Sequence, residues 1–140
     1  MSRSAIYTAN TSDQTVVIDN NINLGSIQRR FGCALDLSGF EIRVKESGYY
    51  EVNSSVTVSS ETPGEVVITL YKDNVIVPGA TAAATIAAAG DFTNLSIDAI
   101  IREGCQCCDG ASNLTIKVSS PTEALTSVTV NNIAAVVEKL

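Results

Sequence analysis

The chain has 140 residues, with 9 Lys plus Arg against 15 Asp plus Glu, a formal charge of -6, and no His or Trp. One domain accounts for that length, and the lack of His excludes a His general base, a Ser-His-Asp triad, a Cys-His dyad and His metal ligands. An acidic chain with scattered cations also lacks the basic face that nucleic-acid binding uses.

Apolar residues make up 45% and charged residues 17%, against a usual charged share of about 25%. Mean hydropathy is +0.20, high for a small soluble monomer. This surplus points to a face covered by a second copy of the chain. The N-terminus, MSRSAIYTANTSDQ, has no apolar run of the kind a secretory leader needs. No stretch approaches the roughly 18 apolar residues of a membrane span. The expectation is a soluble cytosolic product with no membrane insertion.

In chain order, residues 5–8 and 15–18 read as short strands, and residues 31–37 as another. Phe40, Ile42 and Val44 alternate with Glu41, Arg43 and Lys45, and Ser47-Gly48 breaks the run. Tyr50, Val52, Ser54, Val56 and Val58 then alternate with Tyr49, Glu51, Asn53, Ser55 and Thr57, the clearest strand in the sequence. After a Pro-Gly turn, residues 65–71 (EVVITLY) form a strand apolar on both faces. Lys72-Asp73-Asn74 is a hairpin turn and residues 75–77 the return strand. The Ala-rich piece 79–90 is too short and Thr-broken for a helix, and reads as a loop or a strand of small side chains.

Further on, Leu95, Ile97, Ala99 and Ile101 share one face of a strand, and Leu114, Ile116 and Val118 share one face of the next. A turn region carrying Cys105, Cys107 and Cys108 lies between them. Residues 125–130 and 133–140 are the last two strands. About ten short strands with turn signals every 8–12 residues make an all-β sandwich or barrel. Residues 1–20 are polar and loosely patterned, an N-terminal arm with short strands suited to attachment, and 21–140 form the domain proper.

Residues 39–58, GFEIRVKESGYYEVNSSVTV, combine a Gly-Phe start, an alternating strand, a Gly-Tyr-Tyr turn and a second alternating strand. The set resembles the centre of the C1q/TNF-like jelly roll. ITLYKDN at 68–74 resembles that family's next hairpin. VTVNNIAAVVEKL at 128–140 resembles the closing strand of its bacterial and phage members. The order is right from Ala5 to Leu140. One stretch departs: the family's Ala-Gly-Asp turn is replaced by Arg102 to Gly110, which carries the cysteine cluster.

The resemblance implies a two-sheet antiparallel jelly-roll sandwich that assembles as a homotrimer and does structural or binding work rather than catalysis. It gives the second apolar face of residues 65–71 a use at the subunit interface. The function it implies is a structural virion protein of a bacteriophage, a capsid decoration or head-fibre protein. Its partners are then the major capsid protein or another virion protein, and a host cell-surface glycan or protein. The alternative is the trimerisation domain of a bacterial surface or exosporium collagen-like glycoprotein, which needs a Gly-X-Y stalk. A small hydrolase or lectin-like protein is a third reading.

The remaining chemistry is sparse. Cys33, Cys105, Cys107 and Cys108 admit three states: free thiols, disulfides formed after release from the cell, or one tetrahedral zinc. The C-x-C-C spacing argues against zinc, because Cys107 and Cys108 point to opposite sides of an extended segment. Arg102 is the only nearby cation, offset by Glu103 and Asp109, so a thiolate nucleophile is not expected. Asp36 with Glu41, or Glu61 with Glu65, have the composition of a carboxylate pair, yet read as solvated faces and caps. Asp73-Asn74 and Asp109 have no calcium-loop spacing. Arg29-Arg30 is a solvated doublet or a contact for an acidic neighbour. Tyr50 is expected in the core, and Tyr49 outward at a trimer seam. No catalytic, cofactor-binding or metal-ligating residue is assigned, and no cofactor is expected.

Overall fold

Alternation sets the frame. In the computed structural model, which describes residues 3–104, 112–121 and 125–140, the 12 residues of β6 (Gly48–Ser59) turn Tyr50, Val52, Ser54, Val56 and Val58 inward. Eleven strands form, and no helix occurs among the described residues. The others are β1 (Ala5–Asn10), β2 (Gln14–Val17), β3 (Ser26–Phe31), β4 (Leu35–Ser38), β5 (Glu41–Val44), β7 (Gly64–Lys72), β8 (Val75–Ile86), β9 (Phe92–Glu103), β10 (Ser112–Ser119) and β11 (Ser127–Lys139).

They make two antiparallel sheets. One runs β3-β1-β11-β6-β9, with β2 also paired to β11, and the other runs β4-β5-β10-β7-β8. A single core lies between them. Its largest fully buried side chains include Tyr50, Ile6, Ile22, Leu24, Leu35, Ile68, Leu70 and Ile133. Burying each aliphatic side chain contributes about 1.5–3 kcal/mol, so the sandwich is held by apolar burial between the sheets.

The hairpin at Lys72-Asp73-Asn74 forms where the sequence places it. Asp73 and Asn74 have φ of 52° and 65°, the left-handed pair of a type I′ turn that matches strand twist. The Asp73 N–H donates to the Asn113 carbonyl at 2.8 Å. The Asn113 N–H donates back to Asp73 Oδ1 at 2.9 Å. The Asp73 carboxylate is thereby spent on joining β7 and β8 to β10.

Three expectations are corrected, and two others are located. The single strand over 31–37 is two strands, β3 and β4, because Gly32 turns the chain with φ +79°. The last two strands are one, β11, and the break at Asn131-Asn132 is a bulge between Val130 and Asn132. Of the two readings of the Ala-rich piece, the strand holds as far as Ile86, in β8, where Ala82, Ala83 and Ala84 pair with Ile68, Val67 and Val66. Phe40 does not join Ile42 and Val44 in the core; it lies before β5 and is 49% exposed. Finally, the short strands expected within residues 1–20 are β1 and β2. β1 is clasped between β3 and β11, and Ile6 and Val16 are core residues. Backbone pairing on both sides holds residues 5–9, so β1 is an interior strand.

Candidate assembly face

Register carries residues from distant parts of the chain into rows on the outer side of the larger sheet. One row runs Arg29, Tyr7, Val136, Asn53, Asp98, one residue from each of β3, β1, β11, β6 and β9. The next runs Phe31, Ala5, Glu138, Glu51, Ile100, and a third runs Ser26, Ala9, Ala134, Ser55, Ser96. All are half-buried or exposed, while on β1, β11, β6 and most of β9 the residues between them point into the core. The middle of the face therefore mixes the small and aliphatic Ala5, Ala9, Ala134, Val136 and Ser55 with the polar Asn53, Glu51 and Glu138, and is flanked by Tyr7 on β1 and by Tyr49 near the start of β6.

The charges on this face are uneven. Glu51 and Glu138 stand directly opposite each other across β6 and β11, an arrangement that costs a few tenths of a kcal/mol, up to about 1 kcal/mol. Glu51 Oε1 accepts a hydrogen bond from Asn53 Nδ2 at 2.9 Å. Arg29 and Arg102 are exposed at opposite edges.

Both long edges of the sandwich carry exposed apolar side chains, Ile27 and Phe31 on β3 among them. On the β3/β4 side, Arg30 and Asp36 form an exposed ion pair at 3.0 Å. On the β8/β9 side, Val75, Ile76 and Ile100 are 67%, 52% and 63% exposed. They line a groove of about 370 Å³ with Val77 and Pro78. Phe92, at the start of β9, is 68% exposed. A concentration of large apolar side chains at one edge marks an interaction surface.

Tyr49 is outward and Tyr50 fully buried, as their alternation requires. The Tyr50 hydroxyl donates to the Glu46 carbonyl at 2.7 Å. Burial first, then the nearby Glu46 and Glu103 carboxylates, push its pKa up to about 12 from 10.0. A raised pKa means the folded state keeps a proton that the unfolded chain loses. Tyr50 therefore lends stability that is whole below pH 10 and is lost as pH rises to about 12. Alkaline denaturation followed by circular dichroism is expected to show this loss, and Tyr50→Phe to flatten it over the same window.

The other residues singled out from the sequence do not converge. Asp36 engages Arg30, and Glu41 pairs across the hairpin with Ser38 rather than Asp36. Glu61 is exposed in a turn and Glu65 half-buried at the start of β7. Arg29 donates to the neighbouring Gln28 carbonyl at 3.0 Å. Glu103 is 7% exposed and accepts from the Gly104 N–H at 3.0 Å. Cys33 is exposed, while Cys105, Cys107, Cys108 and Asp109 lie outside the described residues. Among the described residues, no three acidic or cysteine side chains cluster as metal ligands would.

The apolar second face of β7 does not carry the exposed residues. β7 lies inside the smaller sheet, between β10 and β8, with Val67 and Tyr71 half-buried and Lys117 Nζ 4.7 Å above the Tyr71 ring. Tyr7 and Val136 are exposed apolar side chains that only the register brings opposite each other.

No protein-family model matches the chain, and no curated protein matches it in sequence. Solved structures do match over nearly the whole length. The globular domain of zebrafish complement 1qA is 10% identical, with a TM-score of 0.72 over 99% of this chain and 97% of that one. Murine APRIL at pH 5.0 is 13% identical, with a TM-score of 0.69 over 99% of this chain and 100% of that one. Eiger TNF from S. frugiperda is 10% identical, with a TM-score of 0.66 over 99% and 91%. At such identities the likeness carries the architecture: the chain has the C1q/TNF-like jelly-roll fold.

Proposed function

We propose that this chain is a non-enzymatic structural protein that assembles as a homotrimer, and that the trimer is a capsid decoration or head-fibre protein of a bacteriophage. The observation that carries the assembly is a pair of unlike patches with exposed apolar side chains, one on the outer face of the larger sheet and one at the β8/β9 edge shared by the two sheets. One is the face around Tyr7 and Val136, and the other is the β8/β9 edge around Val75, Ile76 and Ile100. Two different patches that meet head to tail close into a ring. Each copy then covers its edge with the next copy's face, which accounts for the surplus hydropathy of the sequence.

The virion role rests on the resemblance of residues 128–140 to the closing strand of bacterial and phage members of the fold. Its partner is the major capsid protein or another virion protein. Mass spectrometry of gradient-purified virions from the source culture tests it. The chain is expected as a stoichiometric component, labelled at the capsid surface by antibody. Virions complete without it overturn the role.

A further inference from the structure

Where β2 leaves β11, a cavity of about 480 Å³ opens between β2, residues 20–23 and Phe40. Its size is that of a small-molecule site. The polar part of its wall is Gln14, Thr15, Asn20, Asn21 and Asn23, and no charged side chain lines it. From this neutral, amide-rich wall with one exposed aromatic ring, we infer that the cavity is a binding site for a neutral hexopyranose, as the end of a glycan or as free sugar.

The wall is pre-organised although residues 20–23 lie outside the named strands. Gln14 spends both ends of its amide on Asn23: Nε2 donates to the Asn23 carbonyl at 2.8 Å, and Oε1 accepts from the Asn23 N–H at 3.0 Å. Asn10 Nδ2 donates to the same carbonyl at 3.2 Å. Asn23 Oδ1 accepts from the Gly25 N–H at 2.9 Å. Ile22 and Leu24 are fully buried, and the Ile22 N–H donates to the Ile116 carbonyl at 2.8 Å. A site held this way loses little freedom when a ligand enters.

Two features of the wall go unused by the fold. Asn21 Oδ1 is buried with no donor, a state that costs about 1–3 kcal/mol. Phe40 keeps half its surface in solvent, although the alternation of β5 offers it the core. Side-chain amides donate and accept at once, as the vicinal hydroxyls of a sugar do. The Phe40 ring offers a flat apolar surface for the C–H face of the pyranose. With no cation in the wall, and exposed Asp13 and Asp19 flanking β2, acidic sugars and phosphates are disfavoured. The site stands whether or not the chain trimerises or joins a virion.

The test is an amide-resolved NMR titration of the full chain with glucose, galactose, mannose and N-acetylglucosamine. At least one is expected to bind saturably with a Kd of about 1 mM, moving the signals of Thr15, the 20–23 backbone and the Gln14, Asn21 and Asn23 side-chain amides. Phe40→Ala is expected to weaken binding about tenfold with an unchanged melting temperature, and Phe40→Tyr to retain it. The inference is overturned if none of the four sugars moves these amides, or if Phe40→Ala binds as well as the parent. Preference for sialyllactose, inorganic phosphate or adenosine at the same amides overturns it too.

Discussion

Ile100→Glu is expected to reduce the solution mass threefold, to that of a single folded chain. Ile100 is 63% exposed in the isolated chain, so a carboxylate there changes the fold's own stability by no more than about 0.5 kcal/mol. In the proposed trimer the same position is covered, and an unpaired buried charge costs about 3–5 kcal/mol. That exceeds what one edge contact supplies, so the ring opens. Val136→Glu, on the opposing patch, is expected to act in the same way. Phe40→Ser is the control, because Phe40 is exposed but lies on neither patch. Light scattering on the three variants, with circular dichroism to confirm folding, checks the result. A trimer that survives both charged variants contradicts the assignment of the interface.

The second large effect comes from one glycine. Gly25 has φ +83°, and a Cβ there would strike the Ala9 carbonyl oxygen, with Asn10 Cβ at 2.6 Å. Both belong to β1, which cannot retreat because β3 and β11 pair with its two sides. Gly25→Ala is therefore expected to cost more than about 4 kcal/mol, in the range of disruptive core changes. Gly79 has the same φ of +83° but no heavy atom within 4 Å of an added Cβ. Gly79→Ala carries only the left-handed strain, about 1–2 kcal/mol. Urea denaturation of the pair separates clash from strain, and equal losses would contradict this account.

Local pattern made much of this fold readable. The period-two runs of β6 and β9 announce themselves, and they decide that Tyr50 is core and Tyr49 is surface. Asp73-Asn74 declares its hairpin by turn chemistry. β3 could not be read so. All six residues of SIQRRF are exposed, so no face alternates, and the segment is a strand because β1 offers it a hydrogen-bonding edge. β8 hides behind alanines, whose small side chains carry little pattern. The bulge in β11 looks like a break because two asparagines stand where the period slips.

The candidate face was legible only in fragments, for a deeper reason. Its central row joins Tyr7 to Val136, then to Asn53 and Asp98, through pairings that span nearly the whole chain. Alternation says which way each side chain points. It says nothing of which strand lies beside which, and the face exists only once the strands are ordered. The sugar cavity was hidden for the same reason, since Phe40 and Gln14 are brought together by the crossing from one sheet to the other. Asn20, Asn21 and Asn23 read as an ordinary loop until Gln14 is seen to lock it.

The most direct test of the assembly is the mass of the unmodified chain in solution, by light scattering, in reducing and in non-reducing buffer. Three copies of a 14.7 kDa chain, about 44 kDa, are predicted in both buffers, because apolar burial and not a cysteine bridge holds the ring. A mass near 14.7 kDa in both buffers, or a trimer seen only without reductant, contradicts it.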